Sequence, residues 1–314
     1  MMREIQPRKR KVPLLSQPGF RLFLMMLPFL CVVFLFSYVP LYGWAYAFYN
    51  YKPGRALANC EFVGAKWFTL LVSDKYYRRD LWRVMRNTLG MSFMGICTSW
   101  LPMMFAIFLN EIRSNRYKKL VQTVTTIPNF ISWVLVYAVA YAMFSVGDGF
   151  VNRLLIRMGV IDEGINFLAS GEHIWIKMWA WGCWKGLGWS SVVYIAALAG
   201  VDRSLYEAAE VDGAGRFAKM WHISLPGLIP TFFVLLIMSI GNLINNGMEQ
   251  YFIFENSMNH DAIEVLDLYV YNQGLAGRMY SFSVAVGMMK SIISMILLVF
   301  ANVLSKVVRG ESVF

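Results

Sequence analysis

Three polar groupings interrupt an otherwise apolar sequence, and their residue types bound the chemistry available. The first, Trp184-Lys185-Gly186-Leu187-Gly188-Trp189, places a lysine among two indoles and two glycines. A lysine so deep in an apolar stretch costs roughly 2.5 kcal/mol or more unless it is paired or faces water, so it marks a functional position by default. The second comprises Asn242, Asn245, Asn246 and Glu249, spaced so that a helix would carry them as one polar stripe. The third is Glu207-Ala208-Ala209-Glu210-Val211-Asp212-Gly213-Ala214, followed by Ile223-Ser224-Leu225-Pro226. These groups hydrogen-bond, stack and dock; none makes or breaks covalent bonds. His173, His222 and His260 are far apart and fit no metal-ligand spacing, so neither a catalytic nor a metal site is expected. There is no Gly-x-x-x-x-Gly-Lys-Ser/Thr phosphate loop, so any ATP used must be bound by another chain.

The third grouping reads as a helix, a glycine turn and a helix. Ser204 and Glu207 have capping-box spacing, which predicts a helix start at Ser204. Leu205, Ala208, Ala209 and Asp212 then fall on one face, and Gly213 permits the sharp turn that ends the helix. A second helix from Arg216 to His222 carries Phe217, Met220 and Trp221 on one side, and Pro226 closes the unit. The exposed face is expected to hold mostly small side chains, a surface on which another protein docks.

The elements that position these groups follow from composition. Hydrophobic residues make up 58% of the 314 residues and charged residues 15%, with a mean hydropathy of +0.49. That is an all-α polytopic membrane protein. Apolar segments long enough to cross a bilayer lie near 22–46, 86–109, 120–146, 174–199, 227–247 and 282–305. Six transmembrane helices return the chain to its starting side, and the distribution of Lys and Arg places both termini in the cytoplasm. The chain then divides into a basic tail over 1–21, a membrane domain over 22–305 with a cytoplasmic loop at 200–226, and a tail over 306–314. The first span is too long for a cleavable signal peptide and lacks a small-residue cleavage pattern.

The basic run Lys75 to Arg86 is the exception to that charge pattern, and it reads as an amphipathic surface helix on the outer interface that leads into the second span. A net charge of +10 does not indicate nucleic-acid binding, because the basic residues are dispersed rather than gathered into a stripe. The cluster Arg8-Lys9-Arg10-Lys11 suits anionic headgroups. Lys177 is expected to snorkel to the outer interface, and Lys290 to pair with an acid or line the cavity. Cys31, Cys97 and Cys183 lie in spans and Cys60 in an outer loop, so no disulfide framework is available.

The Glu207 to Pro226 block resembles the EAA loop of binding-protein-dependent ABC importer permeases, in which Glu-Ala-Ala, Asp-Gly-Ala and Ile-x-Leu-Pro recur at this spacing. The resemblance covers essentially the whole chain. Pro40-Leu41-Tyr42-Gly43, Arg86-Asn87-Thr88-Leu89, Leu109-Asn110-Glu111-Ile112, Ile127-Pro128-Asn129-Phe130-Ile131-Ser132-Trp133 and Tyr194-Ile195-Ala196-Ala197-Leu198 carry it into the maltose-type group, in its polysaccharide or complex-oligosaccharide branch. It implies the type I ABC importer permease fold in a bacterial cell membrane. It also implies a second permease subunit, two ATP-binding subunits that hold ATP and Mg, and an extracellular or periplasmic solute-binding protein. The chain itself would carry no cofactor and be a transport subunit rather than an enzyme.

Carried over residue by residue, the resemblance implies ATPase coupling through Glu207, Ala208, Ala209, Asp212, Gly213, Ala214, Leu225 and Pro226. A saccharide needs hydrogen-bonding groups and flat aromatic faces, which Trp184, Lys185, Gly186 and Trp189 supply in one span and Asn242, Asn245, Asn246 and Glu249 in the next. The rival reading is an ion-driven secondary sugar transporter, which would need an intramembrane acid for its coupling ion. No Asp or Glu lies centrally in any of the six segments. A membrane-embedded enzyme would need clustered His or carboxylates, and the sequence lacks them.

Overall fold

The structure is a computed structural model that describes residues 18–309, so most of the two terminal tails and the Arg8 to Lys11 cluster lie outside the described residues. The described chain is helical, with no strand longer than an isolated bridge between Tyr49 and Phe62. In order, the helices are α1 (Pro18–Val33), α2 (Lys66–Ser73), α3 (Lys75–Cys97), α4 (Leu101–Asn110), α5 (Asn115–Thr126), α6 (Trp133–Phe144), α7 (Phe150–Arg157) and α8 (Ile174–Ala199). They continue as α9 (Arg203–Val211), α10 (Arg216–Lys219), α11 (Leu225–Gly241), α12 (Glu249–Phe254), α13 (His260–Ile263), α14 (Leu266–Tyr271) and α15 (Tyr280–Arg309).

By length and composition, four helical stretches can cross a membrane: Gly19–Phe48, Lys75–Asn110, Arg216–Gly241 and Tyr280–Lys306. A fifth is Asn115–Phe130 with Trp133–Phe144, if that pair, bent by 106°, counts as one span. α8 is long enough at 26 residues but does not belong to that set. No residue in the apolar window of the first stretch is buried; its 3₁₀ end, Val39–Phe48, packs against α15 and α2.

Several boundaries differ from those read in the sequence. Lys75 to Arg86 does lead into the second apolar segment, but as the first turns of one continuous helix, α3, capped by the Asp74 side chain, which accepts from the Tyr76 and Tyr77 amides. Its basic character has a local use. Arg83 is paired with Asp80 at 2.7 Å and with the buried Glu264 at 2.8 Å, so part of the run anchors the α13 to α14 segment. Asn87 and Thr88 extend that anchor: the Asn87 amide donates to the Asp261 and Glu264 carbonyls, and the Thr88 hydroxyl accepts from the Leu266 amide.

Residues 242–248 do not extend the fifth apolar segment. α11 ends at Gly241, and the chain turns before α12. The Asn242 side chain donates to the Met238 carbonyl, Gly247 takes a φ of 77°, and the Gly247 amide donates to Asp267. Lys290 of α15 pairs with the same Asp267, so the lysine expected to find an acid has one. The segment between α11 and α15 folds inward rather than forming a plain loop. Ile263, Val265, Leu268 and Tyr269 are fully buried and join α2, α3, α6, α8 and α15 in two apolar clusters. A third cluster, with Met103, Ala106, Tyr194, Leu198, Met220 and Leu228, ties α4, α8 and α11 near the 200–226 loop.

Candidate functional site

The 200–226 loop is built by local rules. Asp202, not Ser204, caps α9, its carboxylate accepting from the Ser204 amide at 2.9 Å. That hydrogen bond holds the Asp202 carboxyl below its usual range. The capping box is therefore not formed, and Glu207 stands exposed. At the other end, the Ala214 amide donates to the Ala209 carbonyl at 2.8 Å and the Gly213 amide to the Glu210 carbonyl at 3.1 Å. With Gly213 at a φ of 75°, this is a complete Schellman stop, which a side chain at that position would strain.

The two arms of the loop are tied to each other by two side-chain links, one part-buried and one exposed. The Tyr206 and Ser224 hydroxyls lie 2.8 Å apart, and Lys219 pairs with Glu210 at 2.7 Å. The lysine holds the Glu210 carboxyl below its ordinary range. Beyond Lys219 the helix runs through a π-turn, Met220–Ser224, directly into α11, so Pro226 lies near the start of α11 in a continuing helix and does not close the unit. Nor is the outer face made mostly of small side chains. Val211 is 89% exposed and Phe217 81%, and Leu205 and Trp221 are exposed as well, so the loop presents a large apolar surface with Glu207 on it. Such a surface is suited to docking by another protein.

A cavity of about 650 Å³ lies between the α3 to α4 turn, α8, the end of α11 and the start of α12. Gly186, Trp189 and Asn242 of the residues singled out in the sequence line it. So do Trp179, Tyr194, Tyr251, Thr98, Ser99, Ser190, Ser239 and Gln250, none of which the sequence reading assigned to ligand binding. The lining holds no charged side chain. Several polar groups are fixed in place: the Trp179 indole donates to the Thr98 hydroxyl at 2.8 Å, and the Gln250 amide to the Met178 carbonyl at 2.7 Å. Gly186 leaves open space where a side chain would stand. Aromatic faces beside neutral hydrogen-bonding groups suit a polyhydroxylated ligand.

The other singled-out residues lie elsewhere. Trp184 belongs to a second, smaller cavity on the far side of α8. Asn245 bonds to Ser294 of α15 at 3.1 Å and Asn246 to Ser92 of α3 at 2.9 Å, while Glu249 is exposed at the start of α12. Lys185 faces the break between α5 and α6. Its ammonium donates to the carbonyls of Pro128, Asn129 and Ile131 at 3.2, 2.7 and 2.7 Å and lies 5.4 Å from the Trp133 ring. A lysine has three donors, and all three are taken. It caps the carbonyls left open where the chain bends by 106°. Lys185→Met is thus expected to cost about 3 kcal/mol or more, since bonds to a charged donor contribute about 1.5–3 kcal/mol each. Thermal unfolding in detergent checks this; a variant of unchanged stability that fails only in ligand binding would make Lys185 a ligand residue instead.

Comparison with known proteins bears on this arrangement. Residues 98–310, which contain the loop and most of the cavity wall, match the family of binding-protein-dependent transport system inner membrane components. The chain belongs to that family. It is 36% identical to Protein LplB of Bacillus subtilis (strain 168) over 99% of this chain and 100% of LplB. It is also 36% identical to the polygalacturonan/rhamnogalacturonan transport system permease protein YteP of the same organism, over 98% and 94% of the two chains. Among solved structures, a bacterial ABC transporter involved in the import of the acidic polysaccharide alginate superposes with a TM-score of 0.80 at 29% identity, covering 93% of this chain and 96% of that one. The same transporter in complex with an alginate pentasaccharide-bound periplasmic protein gives a TM-score of 0.81. The fold is therefore that of an ABC importer permease, a transport component of the membrane.

Proposed function

We propose that this chain is the permease subunit of an ATP-driven importer of oligosaccharides or polysaccharide fragments. The observation that carries the saccharide is the neutral, aromatic-lined cavity against α8, with Trp189, Tyr194, Asn242 and Gln250 on its wall. The relatives named above, for polygalacturonan/rhamnogalacturonan and for alginate, support the same ligand class. The exposed apolar face of the 200–226 loop is the coupling surface, on which a separate ATPase subunit that binds ATP and Mg docks. In this reading α8 and the bent α5–α6 pair complete six spans, and both termini lie in the cytoplasm of a bacterial cell. A second permease subunit pairs with this chain, and an extracellular or periplasmic binding protein delivers the sugar.

The mechanism follows from the construction. ATP binding closes the ATPase pair and displaces the loop. The internal bonds Tyr206–Ser224 and Glu210–Lys219 make the loop move as one body. α11 continues from the loop without a break and forms part of the cavity wall, so displacement of the loop tilts that wall and changes which side the cavity faces. Hydrolysis reverses the step.

The test is purification of the chain from its native membrane with whatever accompanies it. ATPase activity is then measured with binding proteins loaded with candidate oligosaccharides. Recovery of a second permease and an ATPase, with hydrolysis stimulated by one loaded binding protein, is expected. A chain that moves sugar with no ATPase present would overturn the proposal.

A further inference from the structure

α8 stands between two cavities that share Met178 on their walls, one with several hydrogen-bonding side chains and one lined almost wholly by apolar ones. Ile174, Lys177, Trp181 and Trp184 recur at i, i+3, i+7 and i+10 and so share one face, whereas Gly182, Gly186, Trp189 and Tyr194 occupy the opposite face, on the large cavity. The smaller cavity holds about 310 Å³ between that first face, the end of α6, the 167–168 segment and α12. Its walls are the rings of Phe144, Phe167, Trp181, Trp184 and Phe254, with Phe144–Phe167, Phe144–Trp181 and Trp181–Trp184 edge to face and Trp181–Phe254 tilted, and Lys177 is the single charged residue among the lining side chains. A sugar placed there would leave its hydroxyls without partners, so the site is built for a hydrocarbon.

The charge fixes the orientation of the occupant. Lys177 lies one turn from the start of α8, at the rim, while Trp184 lies about 10 Å further along the helix axis. The Lys177 ammonium donates to the Ser170 carbonyl at 2.9 Å, which holds it in place and leaves protons for an anion. An anionic head at Lys177 with a chain running down past Trp181 to Trp184 matches a membrane phospholipid standing in its own leaflet.

We propose that this cavity binds one acyl chain of an anionic phospholipid, with the lipid phosphate on Lys177. The site is separate from the sugar path and does not depend on the identity of the transported ligand. It also gives Trp184 a role that a sugar site does not.

The test uses the importer purified with its partners and placed in bilayer discs containing phosphatidylglycerol with a photoactivatable acyl chain. Illumination and peptide mapping are expected to place label on the 174–184 segment and on the peptides of Phe144 or Phe254. Ala180→Phe, which fills the cavity, removes that label while label on exposed α1 persists, and unlabelled phosphatidylglycerol competes it away in the unsubstituted protein. Lys177→Gln lowers the preference for phosphatidylglycerol over phosphatidylcholine by about fivefold, the factor for one basic residue at an anionic surface. Label spread evenly over the apolar helices, insensitive both to Ala180→Phe and to competitor, overturns the proposal. Label by a photoactivatable free fatty acid with none by the phospholipid overturns it as well.

Discussion

Gly213→Val and Phe217→Asp are each expected to abolish sugar uptake while leaving the chain folded and inserted. Gly213 holds a φ of 75° inside the Schellman stop, and a β-branched residue there carries about 1–3 kcal/mol of backbone strain. The strain is relieved by unwinding the last turn of α9, which shifts Val211 and Glu207 on the docking face. Phe217 acts through contact instead of shape. It is 81% exposed, and an aromatic anchor replaced by a charge costs about 2 kcal/mol or more of docking energy, roughly thirtyfold in affinity. Glu207→Lys reverses the exposed charge on the same face and is expected to weaken coupling too. The readouts are uptake of labelled oligosaccharide and ATP hydrolysis by the reconstituted importer: uptake falls, and hydrolysis ceases to depend on the loaded binding protein. Full uptake in both Gly213→Val and Phe217→Asp would remove the loop from the coupling role.

What could be read from the sequence divides by the range of the interactions involved. Gly213 was legible as a helix stop because a Schellman motif depends on residues within a turn of it. The first and last apolar segments, read as 22–46 and 282–305, were legible within a few residues because hydropathy accumulates over a long window. Lys185 was legible as unusual, yet its partners are the carbonyls of Pro128, Asn129 and Ile131, more than fifty residues away, and nothing local names them. The Arg83 to Glu264 pair is likewise distant, which is why a basic run joined to the start of a span resembled an interfacial helix.

Two differences had signals that were available. Trp184 and Trp189 are five residues apart and so about 140° apart around a helix, which by itself excludes a shared face. Three Asn and two Gly between Gly241 and Gly247 are turn composition, and a turn is what they form. The inward fold of α12 to α14 had no comparable signal, because short helices stapled by distant partners lack a period long enough to read.

Gly186 and Gly188 allow the sharpest separation of transport from folding, since they lie two residues apart on one helix and meet opposite surroundings. A Cβ at Gly188 would stand 2.2 Å from the Thr125 carbonyl oxygen and 2.4 Å from its carbon, backbone atoms that cannot swing away. Gly188→Ala must therefore push α5 off α8, at a cost of about 3 kcal/mol by the usual measure of overpacking. It is expected to lower the unfolding temperature and the yield of inserted protein. A Cβ at Gly186 meets nothing within 4 Å and projects into the 650 Å³ cavity. Gly186→Ala is accordingly expected to be neutral in stability. Gly186→Phe, which occupies the space opposite Asn242 and Gln250, is expected to hold the protein folded while uptake falls below about a tenth of the original rate. The two substitutions are compared by thermal unfolding and by uptake in the same reconstituted membranes. Unimpaired uptake in a folded Gly186→Phe protein would place the sugar path away from this face of α8, whereas loss of folding in both variants would mean that α8 is packed on both faces and has no open wall.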